Sequence, residues 1–307
     1  MSYVLGFGGA TVDLHIRCKS DVIFRDSNPS VMSSSPGGVM RNILDNASRL
    51  GAECYFLSVV GDDPNGRLLL DSCKTQGIDS SGVYISGDFP TACYMDLLGP
   101  DGDMAVAAND MAAFDNIPGE YLKAHEAEIR GAKVLAVDAN PSEERLRQFC
   151  EIAASPIFAD PVSVAKAGKF KGLLSRLYLI KPNLMELELL SGISCGSEED
   201  IVRAASKLID AGCYSVAVSL GKDGCYYADA SGESFFEKLS PVENMVNATG
   251  AGDAFMAGLI TAYADGLAPR DMILRALAAG RIAVCSKETI NPEMSIESVE
   301  KELVYGY

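Results

Sequence analysis

Compact apolar runs alternate with longer stretches in which apolar residues recur every three or four positions, and this alternation governs the chain from Pro118 onward. Val134–Val137, Ile157–Ala159, Leu177–Ile180 and Ser215–Ser219 are runs of the kind that fill a strand buried on both faces. Between them Glu120–Gly131, Glu143–Ala153, Val164–Ser175, Leu184–Leu190 and Glu198–Gly212 have helical spacing, a hairpin-like piece follows at Cys225–Phe236, and two long helices, about Gly252–Asp265 and Pro269–Cys285, finish the chain. The N-terminal part repeats the theme with strand Val4–Gly8, helix Gly38–Leu50, strand Glu53–Val60 and helix Gly66–Gln76. Gly51 and Gly77 close the two helices. Strands alternating with helices predict an α/β fold whose mainly parallel sheet is covered on both faces.

Two stretches break the pattern. Strand-like His15–Cys18 and Val22–Arg25 lead into a turn-rich Asp26–Pro36, and Val83–Ala108 alternates with turns at Ser86-Gly87-Asp88 and Gly99-Pro100-Asp101-Gly102. These excursions predict a small β lid, residues 14–35 and 83–111, over the carboxyl edge of the sheet, where open α/β sheets bind ligands. Residues 1–13, 36–82 and 112–307 then form the α/β body.

With 307 residues, 48% of them hydrophobic, the chain can bury the core of one large domain or two smaller ones. A net charge of −16 argues against nucleic acid or an anionic membrane as the main partner, since both need a basic face. Any anionic ligand would need local positive potential from helix N-termini, a few lysines or a metal ion. Nine cysteines include no Cys-x-x-Cys pair, and the two histidines, His15 and His125, have no plausible partner in sequence and read as structural. Reduced thiols in a cytoplasmic protein are the simplest account. Met1–Gly6 has no basic or long apolar region and so is not expected to act as a leader, and no apolar run approaches the roughly 20 residues of a membrane span.

The densest chemistry lies in Asn247-Ala248-Thr249-Gly250-Ala251-Gly252-Asp253-Ala254-Phe255. Small residues let backbone approach an anion, a helix beginning here favours negative charge, and Asp253 stands where it could take a proton from an attacking hydroxyl. Taken alone, Gly-Ala-Gly is as well explained by close packing at the start of a buried helix. Asn183 and Glu186, one helical turn apart, read either as a helix cap with its partner acid or as ligand groups. Gly6-Phe7-Gly8-Gly9-Ala10-Thr11 lacks the third glycine and the helix of a dinucleotide fingerprint, and no Gly-x4-Gly-Lys-Ser/Thr loop is present.

Four motifs in order decide between these readings. Gly37-Gly38-Val39-Met40-Arg41-Asn42, Lys181-Pro182-Asn183-Leu184-Met185-Glu186, Ser219-Leu220-Gly221-Lys222-Asp223-Gly224 and Thr249–Asp253 together resemble the ribokinase-like carbohydrate and nucleoside kinases over essentially the whole chain. The resemblance implies a three-layer α/β/α sandwich with a β-sheet lid, and an ATP- and Mg²⁺-dependent phosphotransferase whose lids pair in a homodimer. Asp253 would be the catalytic base, with the amides of Gly250, Ala251 and Gly252 as anion hole. Asp13, Gly37, Gly38 and Asn42 would hold sugar hydroxyls. Asn183, Ser219, Gly221 and Gly224 would hold the nucleotide, with Glu186 organising Mg²⁺ through water.

Within the family the chain is most similar to pseudouridine kinases, on Asp26-Ser27-Asn28-Pro29, Ala107-Ala108-Asn109-Asp110-Met111, Asp160-Pro161-Val162-Ser163 and Asn247. This implies phosphorylation of the 5′-hydroxyl of pseudouridine, with Asn28, Asn109 and Met111 on the lid against the base and Asn140 and Lys166 facing the pocket. The alternatives are a kinase of uridine, adenosine or ribose, or a catalytically silent nucleoside-binding protein. Many sugar kinases carry Asp-Thr in place of Asn247-Ala248, and that Asp helps hold a monovalent cation. The neutral Asn247 leaves cation activation open.

Overall fold

Two hydrophobic cores on opposite faces of one sheet organise the molecule. The computed structural model describes residues 2–240, 242 and 245–305. Along the chain, β1 (Val4–Phe7), β2 (Thr11–Cys18) and β3 (Ser30–Gly37) lead to α1 (Val39–Arg49), β4 (Cys54–Leu57), β5 (Val59–Gly61), α2 (Pro64–Thr75), β6 (Tyr84–Ser86), β7 (Cys93–Leu98) and β8 (Met104–Asp110). Then come α3 (Ala112–Asp115), α4 (Tyr121–Ala124), α5 (Glu126–Gly131), β9 (Val134–Asp138), α6 (Glu143–Ile152), β10 (Ile157–Asp160), α7 (Val164–Ala167), β11 (Leu179–Ile180), α8 (Leu184–Ser191) and α9 (Glu198–Asp210). The chain continues with β12 (Ser215–Ser219), β13 (Cys225–Asp229), β14 (Ser234–Glu237), α10 (Ala251–Ala264), α11 (Pro269–Val284) and α12 (Ile296–Tyr305).

The main sheet has eight strands in the order β14-β13-β12-β11-β10-β9-β1-β4. All neighbours are parallel except at the β12-β13-β14 edge, which is an antiparallel meander. Side chains on each strand alternate between the two cores: Val4 joins the core beneath α1, α10 and α11, whereas Leu5 and Phe7 join the one beneath α6, α8 and α9. The result is a three-layer α/β/α sandwich. A second sheet, β3-β2-β7-β8, stands apart from it, and β5 and β6 form a short pair. No helix of the described residues is long and apolar enough to cross a membrane.

Several expectations need correction. Val22–Arg25 is not a strand; the partner of β2 is β3, inside the stretch read as turns. Ser33, Ser34 and Ser35 hide this strand, because it is mostly exposed and needs no apolar alternation. Glu53–Val60 splits at Ser58, whose hydroxyl donates to the Gly8 carbonyl while its N–H donates to the Tyr121 hydroxyl, so β4 and β5 enter different sheets. Glu120–Gly131 breaks at His125 into α4 and α5. The four-stranded sheet takes in Thr11–Asp13 and Pro36–Gly37 and leaves out β6, so its limits differ from 14–35 and 83–111. α12, a third C-terminal helix, was not foreseen.

α10 carries the candidate chemistry and is buried from Ala254 to Ala262. A helix apolar on all sides belongs in an interior, and here α1 and α11 both pack on it. Its Gly258 lies so near α11 that an added Cβ would sit 2.6 Å from the Ala276 Cα. Gly258→Ala should therefore destabilise the protein by about 1–3 kcal/mol through overpacking, measured by urea denaturation. An unchanged midpoint would show that the helices can separate freely.

Candidate active site

The candidate groups gather at the carboxyl ends of the central strands. Asp138, at the end of β9, is fully buried and accepts the N–H groups of Gly9, Met40 and Asn140 at 2.8, 2.9 and 2.8 Å. One carboxylate thus ties the end of β1, the start of α1 and the turn after β9 together. Gly38, at φ +95°, caps α1, and a Cβ there would lie 2.5 Å from the Gly9 carbonyl oxygen. Any side chain at Gly37 would collide with the Asp13 carboxylate, which accepts from the Thr11 hydroxyl at 2.9 Å. Burial pushes the Asp13 carboxyl above its ordinary value, against the pull of that hydrogen bond.

Asn42 on α1 donates from Nδ2 to the Asp253 carboxylate at 2.8 Å, joining residues 211 positions apart in sequence. Arg41 fixes the direction of this amide. Its guanidinium can only donate, and it contacts Asn42 Oδ1, the Pro36 and Gly37 carbonyls and, at 3.1 Å, the Asp45 carboxylate. The Asn42 nitrogen must therefore face Asp253. Both ends of the side chain are engaged, so Asn42 is first a support for Asp253, with one amide N–H to spare.

Asp253 lies in the first turn of α10, behind Gly250 at φ +83°. It keeps partial solvent access. Burial first, and then the field of Asp160, push its carboxyl up to about 7, while the Asn42 hydrogen bond and Lys181 oppose the rise. Such a group can hold or release a proton at neutral pH. The Ala251 N–H turns back to the Ala248 carbonyl at 3.3 Å, so this amide is weaker as an anion donor than expected. The Gly252 amide has no hydrogen-bond partner among the described residues. Asn247 accepts the Thr249 N–H at 3.0 Å and shapes the approach to the helix.

On the other side, Asn183 caps α8 and forms a reciprocal capping box with Glu186, both bonds 2.9 Å long. The capping reading of this pair is thus correct structurally, and it leaves the second Glu186 oxygen without a hydrogen bond among the described residues. Burial raises the Glu186 carboxyl above its ordinary value. A bridge pairs Asn183 with Ser219, which brings the turn carrying Gly221 and Gly224 alongside. Among the described residues no three carboxylates, histidines or cysteines cluster as metal ligands. The Glu186 oxygen left over from the capping box is a single hard donor of the kind that suits a Mg²⁺ ion keeping most of its waters.

Two residues given to base recognition are otherwise occupied. Asn28 accepts from the Ile23 N–H at 2.8 Å and donates to the Ile23 and Asp26 carbonyls at 3.0 and 3.1 Å, bracing its own loop. Met111 packs against the second core at the start of α3, so it serves the foot of the small sheet. Asn109 is exposed on β8, opposite Tyr94. Asn140 is buried, and Lys166 donates to its Oδ1 at 2.5 Å. Lys166 is not the solvated lysine that its residue type suggests; burial lowers its ammonium. His15 does have a partner, Asp96, at 2.8 Å across the small sheet.

Two open hollows of about 480 and 410 Å³ lie elsewhere, at the amino ends of the strands, sharing Lys133 and Asp265. Neither contains a candidate residue, so the site is located by its chemistry rather than by the size of a hollow.

The profile of the pfkB family carbohydrate kinases matches residues 1–296. The chain belongs to this family. It is 38% identical over 299 residues to the pseudouridine kinase of Escherichia coli K12, covering 97% of this chain and 95% of that one. It is 32% identical to an uncharacterized sugar kinase of the same organism, covering 94% and 80%. A carbohydrate kinase from Agrobacterium tumefaciens superposes with a TM-score of 0.88 at 27% identity, covering 99% and 97%. The fold is that of the ribokinase-like kinases, and the chain is an ATP-dependent phosphotransferase acting on the hydroxyl of a sugar or nucleoside.

Sequence reasoning overlooked Lys181, Asp160, Asp138 and Arg41 as site residues. Lys181 stands two positions before Asn183, and Asp138 and Asp160 each end a buried strand, where a charge has few structural reasons to be. The Asp253 carboxyl should titrate near 7 by ¹³C NMR of the substrate-free protein. Its folded value exceeds the ordinary 3.8, so the folded state binds this proton more tightly and the parent loses stability as pH rises through that interval. Asp253→Asn should remove this part of the pH dependence and melt at or above the parent temperature at pH 8; a lower melting temperature would contradict the assignment.

Proposed function

We propose that the chain transfers the γ-phosphoryl group of ATP to the 5′-hydroxyl of pseudouridine. The observation that carries this reading is the Asn42–Asp253 hydrogen bond, which sets the only carboxylate of the α10 N-terminus against the glycine-rich start of α1. Identity along nearly the whole length of a pseudouridine kinase supports the substrate.

Asp253 orients the hydroxyl and takes its proton as the new O–P bond forms and the bond to ADP breaks. The transition state is loose, so most of the catalysis is positioning and charge neutralisation. The Gly252 amide, with Gly250 shaping the turn and Ala251 in reserve, holds the transferring oxygens. Asp13, Gly37, Gly38 and the free N–H of Asn42 hold the ribose. Asn183, Ser219, Gly221 and Gly224 line the nucleotide, and Glu186 would hold Mg²⁺ through water, which would neutralise phosphate charge. Asn140 with Lys166 faces the nucleoside, and Asn109 approaches it from the small sheet, which acts as a lid.

Val31, Met32, Met104 and Val106 are exposed on that sheet, which supports pairing of two lids in a homodimer. All nine cysteines are free, which supports a reducing, cytoplasmic setting. A second reading, a kinase of another nucleoside or of a free sugar, is favoured by the engagement of Asn28 in its own loop, which leaves fewer groups for the base.

ADP release across pseudouridine, uridine, adenosine, ribose and fructose separates the readings. The expected result is kcat/KM for pseudouridine at least about tenfold above the rest; preference for ribose or another nucleoside would transfer the assignment, and no turnover at all would favour a binding protein. Asp253→Asn should lower kcat by about a thousandfold or more while nucleoside binding by calorimetry stays within a few-fold. Omitting K⁺ should change the rate little, since Asn247 offers no carboxylate; a many-fold loss would reveal a cation site built without that acid.

A further inference from the structure

Lys181 follows β11 and is 5% exposed, its backbone N–H bonded to the Ala159 carbonyl at 3.0 Å. Its ammonium is 3.1 Å from the Asp160 carboxylate, and both side chains are 6% exposed. A Cβ built on Gly252 would lie 3.4 Å from this ammonium, which therefore abuts the N-terminus of α10. That is an unfavourable place for a cation, because the helix end is itself positive. A buried ion pair is also poor evidence for stability, since apolar residues of similar volume often serve as well. The arrangement makes sense if the cation is meant for an anion that arrives at that helix end.

We propose that Lys181, clamped by Asp160, is a positioning residue for phosphoryl transfer: it favours the ionised form of Asp253 and fixes positive charge beneath the Gly252 end of the amide cradle. The inference rests on Asp253 acting as the base. The groups facing Asp253 can be named element by element. α1 presents Asn42, β9 ends in Asp138, β10 ends in Asp160, and Lys181 comes from the chain after β11. α11 turns small residues, Ala276 and Gly280, toward α10. Lys181 is the cation that opposes the carboxylates of Asp138 and Asp160 at Asp253, while the Arg41 guanidinium stands one residue further off, behind Asn42. Lys181 also feels Glu186, and Asp160, Glu186 and Asp253 together hold its ammonium charged despite burial.

Two substitutions then act with opposite sign. Lys181→Met removes the counter-charge, so the acid limb of kcat/KM should move up by about one pH unit or more, with kcat at pH 7 down by about tenfold and the nucleoside KM within about threefold. Lys181→Arg should restore the parent limb. Asp160→Asn removes a carboxylate that disfavours ionisation of Asp253, so its limb should move down; the Asn keeps the oxygen that accepts the Val162 N–H at 2.8 Å. A substitution that only loosened the fold would lower the melting temperature and leave both limbs in place. If Lys181→Met does not fold, Asp160→Asn carries the test by itself. An unmoved limb in a folded variant overturns the proposal. Asp253→Asn is assayed in parallel with the accepted nucleoside or sugar: if it retains turnover, the base assignment fails, whereas a dead Asp253→Asn with unmoved limbs refutes the role of Lys181 alone.

Discussion

A carboxylate held at the start of a buried helix is the constraint around which this molecule is arranged. Asp253 cannot leave its position without dragging α10, which is packed on all sides, and it cannot turn without breaking its bond to Asn42. Asn42 is oriented by Arg41, and Arg41 is tied to the last residues of β3 through the Pro36 and Gly37 carbonyls. The network therefore runs from the small sheet, through α1, to the helix that bears the amide cradle. Any movement of the small sheet relative to α1 would be transmitted to Asp253 through these hydrogen bonds. Desolvation is what makes the arrangement reactive: it raises Asp253 to about 7, where a carboxyl can exchange its proton under ordinary conditions.

The charge of the chain is the second constraint. At −16 the protein as a whole repels a nucleotide. Its answer is local. Positive potential comes from the free end of α10 and from Lys181, which is buried where salt and water screen it least. Lys166 and Lys169 stand beside Asn140 after β9, the latter bonded to the carbonyls of Ala139, Asn140 and Pro141.

Much of this was legible in the sequence. The buried parallel strands, long helices and glycine motifs announce themselves because period, propensity and turn chemistry agree there. Asp253, Gly250, Gly252, Asn183 and Glu186 were singled out through the four ordered motifs; taken alone, their spacing left close packing and helix capping open. β3 was not legible, because a strand exposed on both faces carries serines where a pattern would need valines. Lys181 and Asp160 were hidden for another reason. A single Lys or Asp has many surface uses, and only burial beside each other reveals these two as a pair. The loop-closing bonds of Asn28 were not legible either, because residue type cannot distinguish a local contact of this amide from a contact to a ligand.

The most direct test is a crystal structure with pseudouridine and a non-hydrolysable ATP analogue bound together. The account predicts the acceptor hydroxyl within hydrogen-bond distance, about 2.6–3.2 Å, of the Asp253 carboxylate, with the terminal phosphate on the Gly252 amide and the Lys181 ammonium close beneath it. A hydroxyl bound out of reach of Asp253, or a triphosphate lying away from the N-terminus of α10, would contradict it.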